Sequence, residues 1–428
     1  MNSNSAAAPW RNWSGLQQAQ PALTVQPADE QELATLVRDA EQLRVVGAGH
    51  SFTALVPTAG TLVSLDRLTG LIDHDDERQR ARLWAGTRLH EVGPLLQAIG
   101  QALPNMGDID RQSLAGVLST ATHGTGAQLP CIAAGLTELR LITAQGEVLE
   151  CSRERDAELF RAAAVSLGAL GVITQAQLQN VASYRLRERV WALPLPQVFA
   201  ELERLKRDHR HFEFWAFPGG NVAIVKVLDI SEDAVTEQEQ GADSQDGLLQ
   251  LCSELSRLLP PLAPHLQRLV ARFVKPSERV NGWYRVFPSA RNVRFNEMEY
   301  HVPAERGPAC MGEVCRELAR DGRGVFFPVE YRYVAGDDYL LSPFGDGPRA
   351  SIAVHQYYKQ DHRPLFERIE PILRRHGGRP HWGKLHTVDA AGLRELYPQL
   401  GTFLRLRAEL DPRGKFLNPY LRALFGVG

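Results

Sequence analysis

Three stretches within the first 175 residues are crowded with glycine, alanine, serine and threonine: "RVVGAGHSF" (44–52), "NMGDIDRQSLAGVLSTATHGTGA" (105–127) and "SLGALGVIT" (166–174). Backbone so short of side-chain bulk builds no core of its own. It packs closely against other backbone or against a ligand. Helix-packing glycines would explain the second stretch, but its Thr-His-Gly-Thr-Gly end points to a loop. Three such stretches predict one large polar ligand touched at several places.

Composition narrows the class. The chain has 428 residues, 44% hydrophobic and 23% charged, an ordinary globular balance, and its length suits about two to three domains. A net charge of -2 without a basic block gives a nucleic-acid partner no electrostatic support. No apolar run approaches the ~20 residues that span a bilayer, so no membrane partner is expected. The start, "MNSNSAAAPWRNW", lacks a basic region followed by an apolar core, and reads as a frayed tail rather than a secretory signal. Cys131, Cys151, Cys252, Cys310 and Cys315 form no Cys-x-x-Cys, which argues against structural zinc and a disulfide framework and for a cytoplasmic location. The histidines are scattered without a His-Glu-x-x-His, so no metal is expected.

Periodicity organises the rest. "PADEQELATLVRDA" puts Leu33, Leu36, Val37 and Ala40 on one helical face, and "LRVVG" follows as a strand. "LTELRLITAQGEVLEC" reads as two strands about a turn. After about residue 185 a new cycle begins: strand, helix, then two alternating strands around Pro-Gly-Gly-Asn in "HFEFWAFPGGNVAIVKVL". Residues 231–247, acidic and nearly free of large apolar side chains, are expected to form a mobile surface loop. Later strands ("RNVRFNEMEYHV", "VFFPVEYRYV", "RASIAVHQYY") alternate with helices. Hairpins mixed with helices indicate α+β rather than a parallel nucleotide fold.

The loop at 44–52 admits several readings. Gly47 and Gly49 fit the dinucleotide fingerprint G-x-G-x-x-G, and Asp66 stands where a ribose-binding acid belongs. Phe52 takes the third glycine's place, and Pro57 crowds out the helix that should hold the pyrophosphate. A nest of backbone amides around an anion, with His50 beside it, remains. So does a tight surface turn with an ordinary histidine.

"GAGHSF", "NMGDIDRQSLAG", "ATHGTG", "SLGALGVIT", "RPHWGKLHT" and "DPRGKFLNPYL" occur in one order over essentially the whole chain. Together they resemble the aldonolactone oxidase and alditol oxidase group (L-gulono-1,4-lactone and D-arabinono-1,4-lactone oxidase-like) of flavoproteins with the vanillyl-alcohol-oxidase, or PCMH-type, FAD-binding fold. The resemblance implies FAD bonded covalently through His50, with Gly47, Ala48 and Gly49 against its pyrophosphate. It also implies that Ser51, Gly107, Asp108, Ser113, Gly116, Thr120, Ala121, Thr122, His123, Ile173 and His381 lie near the cofactor.

The chemistry is expected from the second half. Period-two alternation puts Glu330 and Arg332 on one strand face, with Val329, Tyr331 and Tyr333 on the other. A surface ion pair is one reading. The neighbouring aromatics favour a buried face, where charges are tolerated only when paired or used. By resemblance, Glu330 and Arg332 bind substrate hydroxyls, His355 belongs to the substrate pocket and is a candidate base, and Lys384 stabilises reduced flavin. Asp108 and Tyr357 replace a serine and a threonine of the alditol oxidases, which tilts the expectation toward a cyclic aldonolactone. Gly107, where a bulkier alanine is linked with blocked oxygen access, favours O2 as acceptor, with H2O2 as product.

The expected architecture is two-domain α+β: an FAD-binding domain at 12–185, an antiparallel-sheet substrate (cap) domain at 186–370, and a C-terminal segment, 371–428, returning to the flavin. The expected enzyme is a flavin-dependent oxidoreductase acting on CH–OH groups. Alternatives are an alditol (xylitol or sorbitol) oxidase, an aldonolactone dehydrogenase using another acceptor, and a flavin-carrying binding protein without turnover.

Overall fold

The computed structural model describes residues 8–236, 242–288, 292–322 and 324–428. Within the first 180 residues lie two main sheets. In the smaller, Thr61–Ser64 runs parallel to Leu23–Val25 on one side and to Leu43–Val46 on the other. The larger is antiparallel, in the order Val148–Ser152, Leu136–Ile142, Val172–Gln179, Arg80–Trp84, Leu71–Asp75. The helix Glu30–Asp39 forms where its pattern predicts. Asp29 caps it by accepting from the Glu32 amide, and Leu33 and Val37 are buried beneath.

The second half is built on one antiparallel sheet of eight strands. Its order is Ser277–Gly282, Arg185–Pro194, Val222–Ser231, His211–Phe217, Val329–Val334, Arg349–Tyr357, Phe295–Pro303, Arg379–Pro380. Successive side chains alternate between faces, and here the two faces differ in kind. One is apolar: Phe214 stacks on Tyr331 at 4.9 Å, and Val225, Ile352 and Tyr300 are buried with them. The other carries Glu213, Glu330, Arg332, His355, Glu297 and Glu299, all buried as well. Burial on both faces explains why these strands hold charged groups only in pairs.

The C-terminal segment ties the halves together. Residue 370, where the sequence reading ends the cap, lies inside the helix Arg363–Arg375, and Arg379–Pro380 then adds an edge strand to the cap sheet. Farther on, Lys415 donates to the carbonyls of Val37, Arg38 (2.9 Å) and Ala144 (2.8 Å), closing the end of the first helix. Asn418 donates to the carbonyls of Ala54 (2.8 Å) and Pro57 (2.9 Å).

Three expectations need correction. The N-terminal tail is ordered from Trp10: Trp10–Arg11 pairs with Gln18–Ala19 and brings Trp13 onto His50. Of the expected loop 231–247, residues 237–241 lie outside the described residues, and a helix, Ala242–Leu258, begins at 242. Its apolar residues start only at Leu248, so the acidic first turns hid it. In the second glycine-rich stretch a short helix, Leu114–Ser119, precedes the expected loop, capped by the Ser113 hydroxyl.

Candidate active site

The strand Leu43–Val46 delivers the chain into the turn at 47–51. Gly49 sits at φ +68°, a conformation costly for other residues, and its carbonyl accepts from the Trp13 amide at 2.8 Å. A Cβ on Gly47 would lie 2.3 Å from the Ser113 Oγ. The turn therefore presses directly on the N-terminus of the helix Leu114–Ser119. Between them opens a narrow, partly enclosed cleft of about 120 Å³. Gly47, Ala48, Gly49, His50 and Ser51 form one wall, Ser113, Gly116 and Thr120 a second, and Gly168, Gly171 and Ile173 a third. All three glycine-rich stretches thus meet at a single cavity.

Arg44 holds the floor. Its buried guanidinium donates to the carbonyls of Leu55 (2.8 Å), Leu167 (2.9 Å), Gly168 (3.2 Å) and Phe416 (2.5 Å). Burial lowers its pKa to about 10, which leaves it charged at neutral pH. One side chain thereby fixes the strand Leu43–Val46, the third glycine stretch and the C-terminal segment around the cleft.

His50 is half-buried at one end, stacked on Trp13 with ring centroids 5.6 Å apart. Burial lowers its pKa to about 4, helped by the charges of Lys384, Arg88 and Arg111. Its imidazole is therefore neutral at pH 7 and keeps a nucleophilic nitrogen. The Phe52 amide donates to the Gly383 carbonyl at 2.7 Å, which brings the "HWGK" stretch alongside.

Beyond His50 lies the charged face of the cap sheet. Glu213 stands directly opposite Arg332, and Trp215 opposite Glu330, in the register of adjacent strands. Arg332 donates through Nε to Glu213 (2.7 Å) and through Nη2 to Glu330 (2.6 Å) and Asp108 (2.5 Å). The Trp215 indole donates to the same Glu330 oxygen at 2.8 Å. Burial raises the Glu330 pKa; Arg332 pulls it down, while Asp108 and Glu213 push it up again. Lys226 supplies a further cation, 3.2 Å from Glu213.

A second group adjoins the first, since Glu297, Glu330 and His355 present ligand-type atoms within 4.8 Å of one another. His355 directs Nε2 toward Glu297 at 3.4 Å and Nδ1 toward the Pro328 carbonyl at 3.2 Å. Lys384 pairs with the other Glu297 oxygen. Burial alone would raise the Glu297 pKa, but Lys384 and His355 hold it down to about 2. Behind them His123 pairs with Glu299 at 2.9 Å, and the rings of His301 and His381 complete a buried cluster.

The predicted residues thus fall into separate places. Nine line the cleft, whereas Gly107, Asp108, Ala121, Thr122, His123 and His381 do not. Asp108 belongs to the Arg332 cluster, and a Cβ on Gly107 would lie 3.0 Å from the His123 carbonyl. Ala121 is buried in the turn behind the short helix, and Thr122 meets the Thr120 hydroxyl at 3.2 Å. Tyr357 stands apart from the charged group: its hydroxyl donates to Glu254 at 2.7 Å, and its ring packs with Phe52, Phe295 and Phe327. Trp13, Glu213, Trp215 and Glu297 were missed. For the last three the signal was present, because "HFEFWAF" and "FNEMEYH" alternate as "VEYRYV" does.

Comparison with known proteins gives the class first. A solved structure, a solvent-stable cholesterol oxidase, superimposes with a TM-score of 0.85 over 97% of both chains at 18% identity, a likeness of fold. A family model described as FAD binding domain matches residues 21–152, which contain the first two glycine-rich walls. The protein is an FAD-dependent oxidoreductase. A second family model, D-arabinono-1,4-lactone oxidase, matches residues 176–424, and the chain belongs to that family. Among its relatives, the L-gulono-1,4-lactone dehydrogenase of Mycobacterium tuberculosis is 37% identical over 97% of this chain and 99% of its own length. The L-gulonolactone oxidase of Bos taurus is 30% identical over 97% and 98%.

Proposed function

We propose that this enzyme oxidises a secondary hydroxyl of an aldono-1,4-lactone, of the L-gulono or D-arabinono type, using FAD attached through His50. The observation that carries this reading is the meeting of Arg332 with Glu330, Glu213 and Asp108 beside His355. The cofactor fits the chain on independent grounds: a Cβ on Gly47 would fill the cradle, and the His50 imidazole is held neutral. Bound FAD would supply the two-electron acceptor for the hydride.

The protein's own part is binding and proton transfer. Glu330 and Arg332 orient the substrate hydroxyls, each fixed by its cross-strand neighbour. In His355, Nδ1 donates its proton to the Pro328 carbonyl, so Nε2 carries the free lone pair that takes the hydroxyl proton. The Glu297 carboxylate then stabilises the imidazolium. Asp108 occupies Arg332 donor capacity, which leaves a site suited to a compact lactone ring rather than an extended polyol.

O2 is the acceptor of the first reading, which rests on the family resemblance at Gly107. The 37% identical relative named a dehydrogenase supports a second reading, in which another acceptor takes the electrons. One experiment addresses all of this. Purified protein is mixed anaerobically with L-gulono-1,4-lactone, D-arabinono-1,4-lactone, xylitol or sorbitol, flavin bleaching is followed, and air is then admitted. Bleaching by lactones with fast reoxidation and peroxide supports the oxidase, and slow reoxidation the dehydrogenase. Bleaching by polyols alone overturns the substrate assignment. Yellow colour lost from the acid-precipitated pellet overturns attachment through His50.

A further inference from the structure

The stretch "WRNWSG" (10–15) lies ahead of all three glycine-rich walls, yet its second tryptophan sits half-buried on the His50 ring. The two rings stack with centroids 5.6 Å and planes 29° apart. Among the described residues no hydrogen bond holds either nitrogen of that imidazole. The His50 rotamer is therefore limited by the stack rather than by a polar partner.

Trp13 is itself clamped. Its ring meets Phe295 edge-on at 5.2 Å and Phe52 edge-on at 6.2 Å. Phe295 belongs to the cap strand Phe295–Pro303 and stands edge-on to His355 at 4.9 Å. His50 and His355, the base proposed above, thus occupy the two ends of one aromatic row. The backbone is tied as closely. Asn12 is buried and its side chain donates to the Ser51 carbonyl at 2.9 Å, while the Gln17 side chain donates to the Phe52 carbonyl at 2.9 Å. A Cβ on Gly49 would meet Trp10 at 3.5 Å and the Asn12 backbone at 3.6 Å. A hairpin as short as Trp10–Ala19 has no core of its own, so it is ordered by the turn that it grips.

We propose, resting on the attachment through His50 stated above, that Trp13 is a positioning residue for covalent attachment of FAD. Presented by the hairpin 10–19, it holds the His50 imidazole in the orientation that offers a ring nitrogen to the flavin methyl group. Attachment takes one proton from that methyl carbon and one from the imidazole as the carbon–nitrogen bond forms. It leaves two electrons on the flavin for the same acceptor that ends each turnover. Burial and neighbouring cations keep the imidazole neutral and its lone pair available. The stack adds direction, the part of reactivity that depends on alignment.

The test is acid precipitation of the purified full-length protein, with flavin counted in the pellet and in the supernatant. Wild type should keep its flavin in the pellet, and His50→Ala should release it. Trp13→Leu and Trp13→Ala should keep the wild-type total of flavin per chain, because Trp13 is no part of the cleft wall. Their pellet-bound share should fall about tenfold or more. Trp13→Phe restores an aromatic face and should recover most of that share. If the alanine variant fails to fold, the leucine variant carries the test. A wild-type pellet share in Trp13→Leu overturns the role of Trp13 and leaves attachment at His50 standing. Loss of total flavin in step with the pellet-bound flavin also overturns it, and makes Trp13 part of the binding cleft. Wild-type flavin found in the supernatant overturns attachment itself, and the role of Trp13 with it.

Discussion

Arg332 and Glu213 face each other across adjacent strands, and the guanidinium Nε donates to the carboxylate at 2.7 Å. Glu213 is 2% exposed, so neither partner is solvated when the other is removed. Arg332 keeps Glu330 and Asp108, so losing the Glu213 charge costs about 1–3 kcal/mol, the scale of a buried hydrogen bond left unmade rather than of an uncompensated charge. Glu213→Gln should lower unfolding stability by that order, read from denaturant titration. It should also raise KM more than it lowers kcat, since Arg332 keeps Glu330 and Asp108 but loses its anchor. Glu213→Asp should recover part of both losses, and unchanged KM would show that Glu213 does not position Arg332.

Glu330→Gln keeps the shape and an oxygen for the Trp215 indole but removes the carboxylate. Flavin reduction by lactone should slow by about 10²-fold or more, the scale of one lost interaction that strengthens in the transition state. The protein should remain yellow, because Glu330 is no part of the cleft wall. Stopped-flow reduction at wild-type rate would remove Glu330 from the reaction.

Gly47→Ala tests the cradle. The new Cβ would lie 2.3 Å from the Ser113 Oγ and 3.2 Å from its Cβ, forcing the two walls apart. The flavin-to-protein absorbance ratio should fall steeply. Adding Ser113→Ala removes the nearer atom at a cost of about 1 kcal/mol for the lost helix cap, and the double variant should regain part of its flavin. No loss in the single variant would show that the walls yield.

The legibility of this molecule follows the range of its signals. The cap strands could be read because alternation within six to ten residues marks each one, as in "VEYRYV". The parallel sheet could not, because the pairing of Leu23–Val25 and Leu43–Val46 with Thr61–Ser64 leaves no local trace. The site divides in the same way. Glu330 and Arg332 stood out from their own strand and His50 from its glycine-rich turn, while the resemblance marked the roles of His355 and Lys384. Glu213 and Glu297 become meaningful only through cross-strand register, opposite Arg332 and His355. Trp13 reaches His50 through a short pairing at the chain's start that its composition disguised as a tail.

Acid sensitivity follows from buried histidines. Burial lowers the pKa of His211 and of His381 to about 3, and both are nearly inaccessible to solvent. In the unfolded chain each takes up a proton near pH 6.5. The unfolded state therefore binds more protons below that pH, and stability, complete above pH 6.5, falls as pH drops toward 3. Each histidine contributes a slope of about 1.4 kcal/mol per pH unit once its unfolded form is protonated. Buried carboxylates such as Glu297, depressed to about 2, act with the same sign but only below their unfolded pKa near 4.5. Carboxyls with raised pKa, such as Glu330, act with the opposite sign in the window above their unfolded pKa, so a single-histidine variant compared with wild type between pH 5 and 7 is what separates the histidine. The ring of His211 packs edge-on against Phe287 at 5.1 Å, and its Nε2 has no hydrogen-bond partner, so His211→Phe keeps the packing and removes the titration. That variant should lose one proton's worth of slope in this window, and an identical slope would show that His211 titrates in the folded enzyme as it does in the unfolded chain.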